Sequence, residues 1–193
     1  MTKPSTLIRC SWANPANPLY IRYHDEEWGV PCSEETRLFE MLNLEGAQAG
    51  LSWSTVLAKR ENYREAFDRW DAEKIARYGD ADIARLMNNP GIIRNRLKIA
   101  STINNARAYA LLVDEFGGLA PFLWSWVGGE PIVRHRSNAS PIPSRTELSD
   151  AISKDLIQRG FKFVGTTIIY AYMQAIGMVD DHSKACFRSK RRN

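Results

Sequence analysis

Apolar positions recur every three to four residues along most of the chain, the period of helices that bury one face. The stretch SEETRLFEMLNLEGAQAG (residues 33–50) offers Ser33 as N-cap and Glu34 and Glu35 in a first turn. Leu38, Met41, Leu42 and Leu44 then form its inward stripe. WSTVLAKRENYREAF (53–67) reads as a second amphipathic helix, and DAEKIARYG as a short one ending at Gly79. DADIARLMNN opens on acidic residues and stops before Pro90. A long helix is predicted over GIIRNRLKIASTINNARAYALLVDEFGG, with Leu97, Ala100, Ile103, Ala106 and Leu111 on one stripe and Gly117–Gly118 as its end. APFLWSWVGG, ELSDAISKDLIQRG and TTIIYAYMQAIG complete the helical set. Gly128 to Ser144 holds Pro131, Pro141 and Pro143 and reads as a loop with a short extended piece at PIVRH. No strand alternation recurs, so the expected fold is all-α.

A length of 193 residues suits a single domain with a real core, and 44% hydrophobic with 25% charged residues is a globular composition. No targeting segment is visible at the N-terminus. The most apolar run, Val164 to Val179, is 16 residues long and carries two Thr and a Gln. That is short for a membrane span, and it reads as a core helix. Three cysteines far apart argue for a reducing compartment, hence a cytoplasmic protein. The net charge of +4 leans towards a polyanionic partner. The terminal RSKRR reads as a solvated tail.

The chain has only three His and three Cys. His182 and Cys186 stand at i and i+4, which on a helix places both on one face, close enough to share an ion. Imidazole and thiolate suit Zn²⁺, which wants four ligands when structural, and Cys10 with His24 is the natural second pair. The spacing alone equally fits a terminus with no metal, since cysteine is often buried without one. His24-Asp25-Glu26 also spells the H-x-E of zinc nucleobase deaminases. That chemistry needs P-C-x-x-C, and after Pro31-Cys32 the second cysteine is missing.

Glu45 is the residue that periodicity makes conspicuous: an acid in an apolar stripe, between Leu44 and Gly46. A buried carboxylate needs a partner or a function. Aromatic residues on helices, by contrast, are ordinarily core.

The blocks RCSWA, NPLYIRYHDEEWGVP, LFEMLNLEGAQAGLSWSTVLAKRENYREAF, GIIRNRLKI, NARAY and RGFKFVGTT resemble the bacterial 3-methyladenine DNA glycosylase I family over nearly the whole chain. The resemblance implies an all-α fold of the helix-hairpin-helix glycosylase type in one domain, with two lobes. One lobe spans about 40–116, the other 1–39 with 117–193. It implies one structural zinc held by Cys10, His24, His182 and Cys186, stapling the chain ends; Cys32 stays outside the set. It implies hydrolysis of the N-glycosidic bond of 3-methyladenine flipped out of alkylated duplex DNA, releasing the free base without strand nicking. A non-enzymatic damage binder of the same fold is the alternative.

Residue by residue, the resemblance assigns Trp12, Tyr20, Tyr23, Glu45 and Trp53 to the base pocket, with Glu45 and Tyr23 as catalytic residues. Trp28 is expected to be core packing. DNA contacts are expected at the hairpin NNPGIIRNRLK, through Gly91, Ile92, Arg94, Arg96 and Lys98, and at Gly165 and Thr166. Ile93 stands where the usual hairpin has a second glycine. The partners implied are double-stranded DNA with alkylated bases and the free base as product, with no membrane and a monomeric chain.

Overall fold

The computed structural model describes residues 7–134, 136–137 and 141–189; His135 and the end of the basic tail lie outside them. Ten α-helices and two short strands follow in order among the described residues: α1 Pro18–Glu26, α2 Glu35–Gln48, α3 Trp53–Leu57, α4 Arg60–Ala66, α5 Ala72–Ala76, α6 Asp80–Met87, α7 Arg96–Phe116, α8 Leu119–Ser125, β1 Ile132–Val133, α9 Glu147–Gln158, α10 Thr166–Ala175 and β2 Val179–Asp180. The all-α expectation holds, with β1 where PIVRH was expected to extend. Its partner β2 was not expected. The two strands pair in parallel, Ile132 opposite Val179 and Val133 opposite Asp180.

Helix α2 is the hub. It packs against α3, α7, α8 and α10, and every residue from Leu38 to Ala47 is buried. Its N-cap is Glu34, not Ser33: the Glu34 carboxylate accepts from the Thr36 and Arg37 amides at 2.9 and 2.8 Å. A charged acceptor there complements the helix dipole as well as the free amides. The far end is closed by Lys98, whose ammonium donates to the Ala47 and Ala49 carbonyls at 2.8 and 2.6 Å.

Three other expectations are corrected. The 53–67 segment is two helices, broken where Lys59 reaches the Pro90 and Gly91 carbonyls. The turn after Asn88 is a loop to Asn95, which caps α7, so the long helix starts at Arg96. Leu97 and Leu111 are 72% and 68% exposed; the inward face of α7 carries Ile99, Ile103 and Ala106 beside Ser101, Thr102 and Asn105. Those polar residues are buried because they are bonded: Asn105 joins the Asn43 side chain and the Lys162 backbone. A count of apolar positions alone therefore places the stripe on the wrong phase.

Helix α1 escaped the periodicity reading because its residues are largely aromatic and polar. Its start is nevertheless written in the sequence, as Asn17 accepts from the Tyr20 amide at 3.2 Å and Pro18 occupies the first turn.

The chain ends are packed together. Gly29 and Cys32 donate backbone hydrogen bonds to Gln174 and Ile176, and Phe187 donates to Ile8. The core helix expected through Val179 stops at Ala175, because Gly177 turns the chain at φ +71°. A Cβ at that position would lie 2.2 Å from the Val30 carbonyl carbon. Gly177→Ala is therefore expected to cost about 3 kcal/mol, lowering the melting temperature by roughly 10 °C in a thermal unfolding scan.

Candidate functional site

A cavity of about 210 Å³ opens between α1, α2, α3 and α10, lined by Trp12, Tyr20, Tyr23, Trp28, Glu45, Gln48, Trp53, Ile142, Ala171 and Gln174. It holds together all five residues that the sequence assigned to a base pocket. Trp28 belongs to the wall as well as to the core. Larger depressions exist, such as the one of about 630 Å³ along Pro31, Trp124 and Pro131, whose one carboxylate, Glu130, is exposed.

Burial on α2 explains how Glu45 stands out. The helix buries three polar side chains besides its apolar set, Glu40, Asn43 and Glu45. Glu40 is held by Arg60 at 3.0 Å and Arg64 at 2.7 Å, and Asn43 by Asn105 at 3.1 Å. Glu45 points about 200° around the helix from Asn43. It is 4% exposed and makes no hydrogen bond or ion pair with any described residue. Burial pushes its carboxyl up to about 8.

The rings that share the cavity with it meet one another edge-on or tilted. Tyr23 and Trp53 lie 5.2 Å apart between centroids, Trp12 and Tyr20 5.3 Å, and Trp12 and Trp28 4.9 Å. Burial first, and the nearby Glu45 charge second, raise the Tyr23 hydroxyl well above its ordinary range, so it is a neutral O–H donor. The indole N–H groups of Trp12 and Trp53 are buried without a partner. The pocket thus offers flat apolar faces, unspent donors and one unspent acid: surfaces for a planar, hydrogen-bonding, electron-poor ring.

Directly behind the wall lies a second cluster. Tyr23 faces the cavity and the next residue, His24, faces away, its ring 5.1 Å from that of Trp12. Cys10, His24, His182 and Cys186 are all buried, and their ligand atoms lie within 4.8 Å of one another. The four residues named from the sequence gather in space, but the helix on which His182 and Cys186 would share a face does not form. They flank a turn instead, closed by the Cys186 amide on the Ser183 carbonyl at 2.8 Å.

The donor set fits a tetrahedral ion. Asp25 takes the His24 Nδ1 at 2.8 Å and Asp180 takes the His182 Nδ1 at 2.7 Å, so each Nε2 carries the lone pair on the cluster side, where that of His24 accepts from the Cys10 amide at 3.3 Å. The His182 Nε2 is buried and has no partner among the described residues. Cys186 Sγ lies 3.5 Å from His24 Nε2, within the roughly 3.3–3.8 Å edge of a tetrahedral zinc site. The hydrogen bond between the Cys10 and Cys186 thiols lowers the Cys186 thiol and raises the Cys10 thiol, so the two share their protons unequally. Glu26 points away to Arg22 at the surface, so the H-x-E reading has no geometry.

The remaining positions are spread over the surface. Arg94 and Arg96 are exposed beside the Asn88–Asn95 loop. Ile92 is 2% exposed, so its side chain belongs to the core. The Gly91 amide donates to Asn89 at 2.8 Å and the Ile93 amide to the Tyr63 hydroxyl at 3.2 Å. Lys98 turns inward to the end of α2, and burial lowers its ammonium below the usual value. Thr166 starts α10 and bonds to Ser149 and Asp150, away from the cavity. Sequence reasoning did not find Gln174, Ile142, Ala171, Asp25 or Asp180, which carry no motif of their own.

A family model described as methyladenine glycosylase matches residues 12–189. The chain belongs to the methyladenine glycosylase family. It is 52% identical to DNA-3-methyladenine glycosylase 1 of Escherichia coli strain K12, over 92% of this chain and 95% of that one. It is 47% identical to DNA-3-methyladenine glycosylase of Haemophilus influenzae strain Rd, over 92% and 96%. The 3-methyladenine DNA glycosylase I of Staphylococcus aureus, solved to show 3-methyladenine recognition, superposes with a TM-score of 0.92 at 37% identity, over 96% of this chain and 98% of that one.

The Glu45 carboxyl has a consequence for stability. Between about 4.5 and about 8 the unfolded chain has released this proton and the folded chain has kept it, so stability falls as pH rises through that window. Wild type and Glu45→Gln compared by urea unfolding are expected to differ in slope. The variant should gain on the order of 4 kcal/mol over wild type between pH 5 and pH 8. Parallel curves would mean that Glu45 is solvated.

Proposed function

We propose that this protein is a monofunctional DNA repair glycosylase that releases 3-methyladenine from alkylated duplex DNA. The observation that carries the reading is the unpaired buried carboxyl of Glu45 inside a ring-walled cavity of single-base size, in a chain of the methyladenine glycosylase family. The α6–loop–α7 segment around Asn88–Asn95 serves as the helix-hairpin-helix. Exposed Arg94 and Arg96 there meet backbone phosphates, while Gly91 and Ile92, whose amides are turned to Asn89, shape the loop that presents them. The Gly165–Thr166 start of α10 sits at the rim of the DNA face. The two lobes are residues 40–116 and residues 1–39 with 117–193.

The physics is one of matched charge. An empty pocket at neutral pH keeps Glu45 protonated, because desolvation outweighs ionisation. A base made cationic by methylation enters between Tyr20, Tyr23, Trp12 and Trp53 and restores the carboxylate, which then accepts from its amino edge. Stacking supplies roughly 1–3 kcal/mol per base, against a flipping cost of a few kcal/mol that damage reduces. An unmodified adenine offers the carboxylate no charge and gains less. Holding the electron-poor ring as it departs favours breaking the N9–C1′ bond. Water adds its oxygen to C1′ and its proton is lost to solvent. Tyr23 donates its hydroxyl to the leaving ring.

Zinc is the ion proposed for Cys10, His24, His182 and Cys186. Four protein ligands leave no position for water, so it ties the chain ends together and takes no part in the chemistry. The protein is proposed to work as a monomer in the cytoplasm, where its free thiols stay reduced. No helix of the described residues is long and apolar enough to cross a membrane.

Incubation with methylated duplex DNA should release free 3-methyladenine, identified by chromatography. Glu45→Gln should cut that release by about 10–100-fold and duplex binding by less; equal loss of both favours a damage binder. For the metal, elemental analysis should give one zinc per chain. Cys186→Ser should lose it and melt roughly 10 °C lower. Full stability of metal-free protein would overturn the zinc assignment.

A further inference from the structure

Gln174 is the buried polar wall residue that the proposed chemistry leaves without a task; Gln48, the other glutamine of the wall, is only half-buried. It sits on α10 and is 7% exposed. Its Nε2 donates to Asp181 Oδ2 at 2.7 Å, and the Tyr170 hydroxyl donates to the same oxygen at 2.5 Å. Asp181 is itself 2% exposed, with Arg136 Nη1 3.9 Å from its other oxygen. A carboxylate oxygen that already holds one donor can bind the amide only through its N–H, so the orientation of the amide is set by chemistry. The carbonyl oxygen Oε1 is then left as the free polar atom of Gln174, and no described group donates to it.

We propose that Gln174 is a specificity-determining residue of the base pocket. Oriented by Asp181, it presents Oε1 as a second hydrogen-bond acceptor alongside Glu45, selecting a 3-methylated purine with an amino group at position 6 over one with a carbonyl there. The inference rests on the base-releasing reading above. An exocyclic amino group has two N–H bonds; the Glu45 carboxylate takes one and Oε1 the other. A carbonyl in the same place sets its lone pairs against two acceptors in a water-poor cavity, and all three groups lose their partners. An unrestrained glutamine would escape by rotating its amide and donating. Here that rotation brings Oε1 against the Asp181 carboxylate, so the escape is closed. Asp181 is thus a positioning residue. The discrimination is anchored on the segment that also holds His182, outside the cavity itself.

The test uses the full-length, metal-loaded protein on methylated duplex DNA that yields both 3-methyladenine and 3-methylguanine. The quantity read is the ratio of kcat/KM for the two bases. Gln174→Leu is expected to lower that ratio by about tenfold or more. Asp181→Asn, which lets the amide turn, is expected to shift it the same way with zinc content unchanged. A packing role alone would slow both bases by one factor; an unchanged ratio in both variants overturns the inference. If Gln174→Leu does not fold, the ratio in Asp181→Asn decides. A wild type that releases neither base defeats the parent reading and this one with it. Release of 3-methyladenine with unmoved ratios defeats this one alone.

Discussion

A helix buried on every side must answer for each polar group it carries, and α2 answers for two of three. Glu40 is neutralised by Arg60 and Arg64, and Asn43 is paired with Asn105. Glu45 is left over, and the cavity exists around it. Desolvating a carboxylate without a partner costs far more than a surface ion pair returns, so such a group is tolerated where something else repays it. The neighbouring contacts serve this arrangement. Lys98 closes the helix end beyond Glu45, and the Arg60 network holds the opposite side. Glu45 is therefore fixed in place by partners that never touch it.

Helix α1 couples the pocket to the metal-type cluster. Consecutive residues Tyr23 and His24 point about 100° apart, so one helix supplies a cavity ring and a ligand nitrogen. Trp28 stands between them and the other end of the chain, 4.6 Å from the His182 ring. Asp25 and Asp180 orient the two imidazoles, and Asp25 is itself gripped by Arg9 at 2.7 Å. A displacement of the packed chain ends would therefore move the aromatic wall. This geometry links the His and Cys cluster to the cavity wall through neighbouring side chains of one helix.

The all-α class and most helices were legible in the 3.6-residue period, and Glu45 was legible as an acid out of place in an apolar stripe. The long blocks shared with the glycosylase family pointed to residues that line the cavity and to the four His and Cys residues that cluster behind it. What periodicity misjudged has a common cause. Leu97 and Leu111 were placed inward because apolarity was counted without knowing that Ser101, Thr102 and Asn105 would find bonds inside. Ser33 was preferred to Glu34 because hydroxyls cap helices more often, though a carboxylate reaches two amides at once. Helix α1 was missed because its aromatic residues serve a cavity and not a continuous stripe.

The sequence by itself determined the helical class, the odd acid and the scarcity of His and Cys, because these are local patterns or simple counts. Only the tertiary structure decided that Glu45 has no partner while Glu40 has two. It alone showed that Lys98 faces inward, that His182 and Cys186 meet across a turn, and that Gln174 is held by Asp181. Each of these depends on which side chains from distant segments arrive within about 3 Å, the range of a hydrogen bond. Chain order does not encode that distance; packing does.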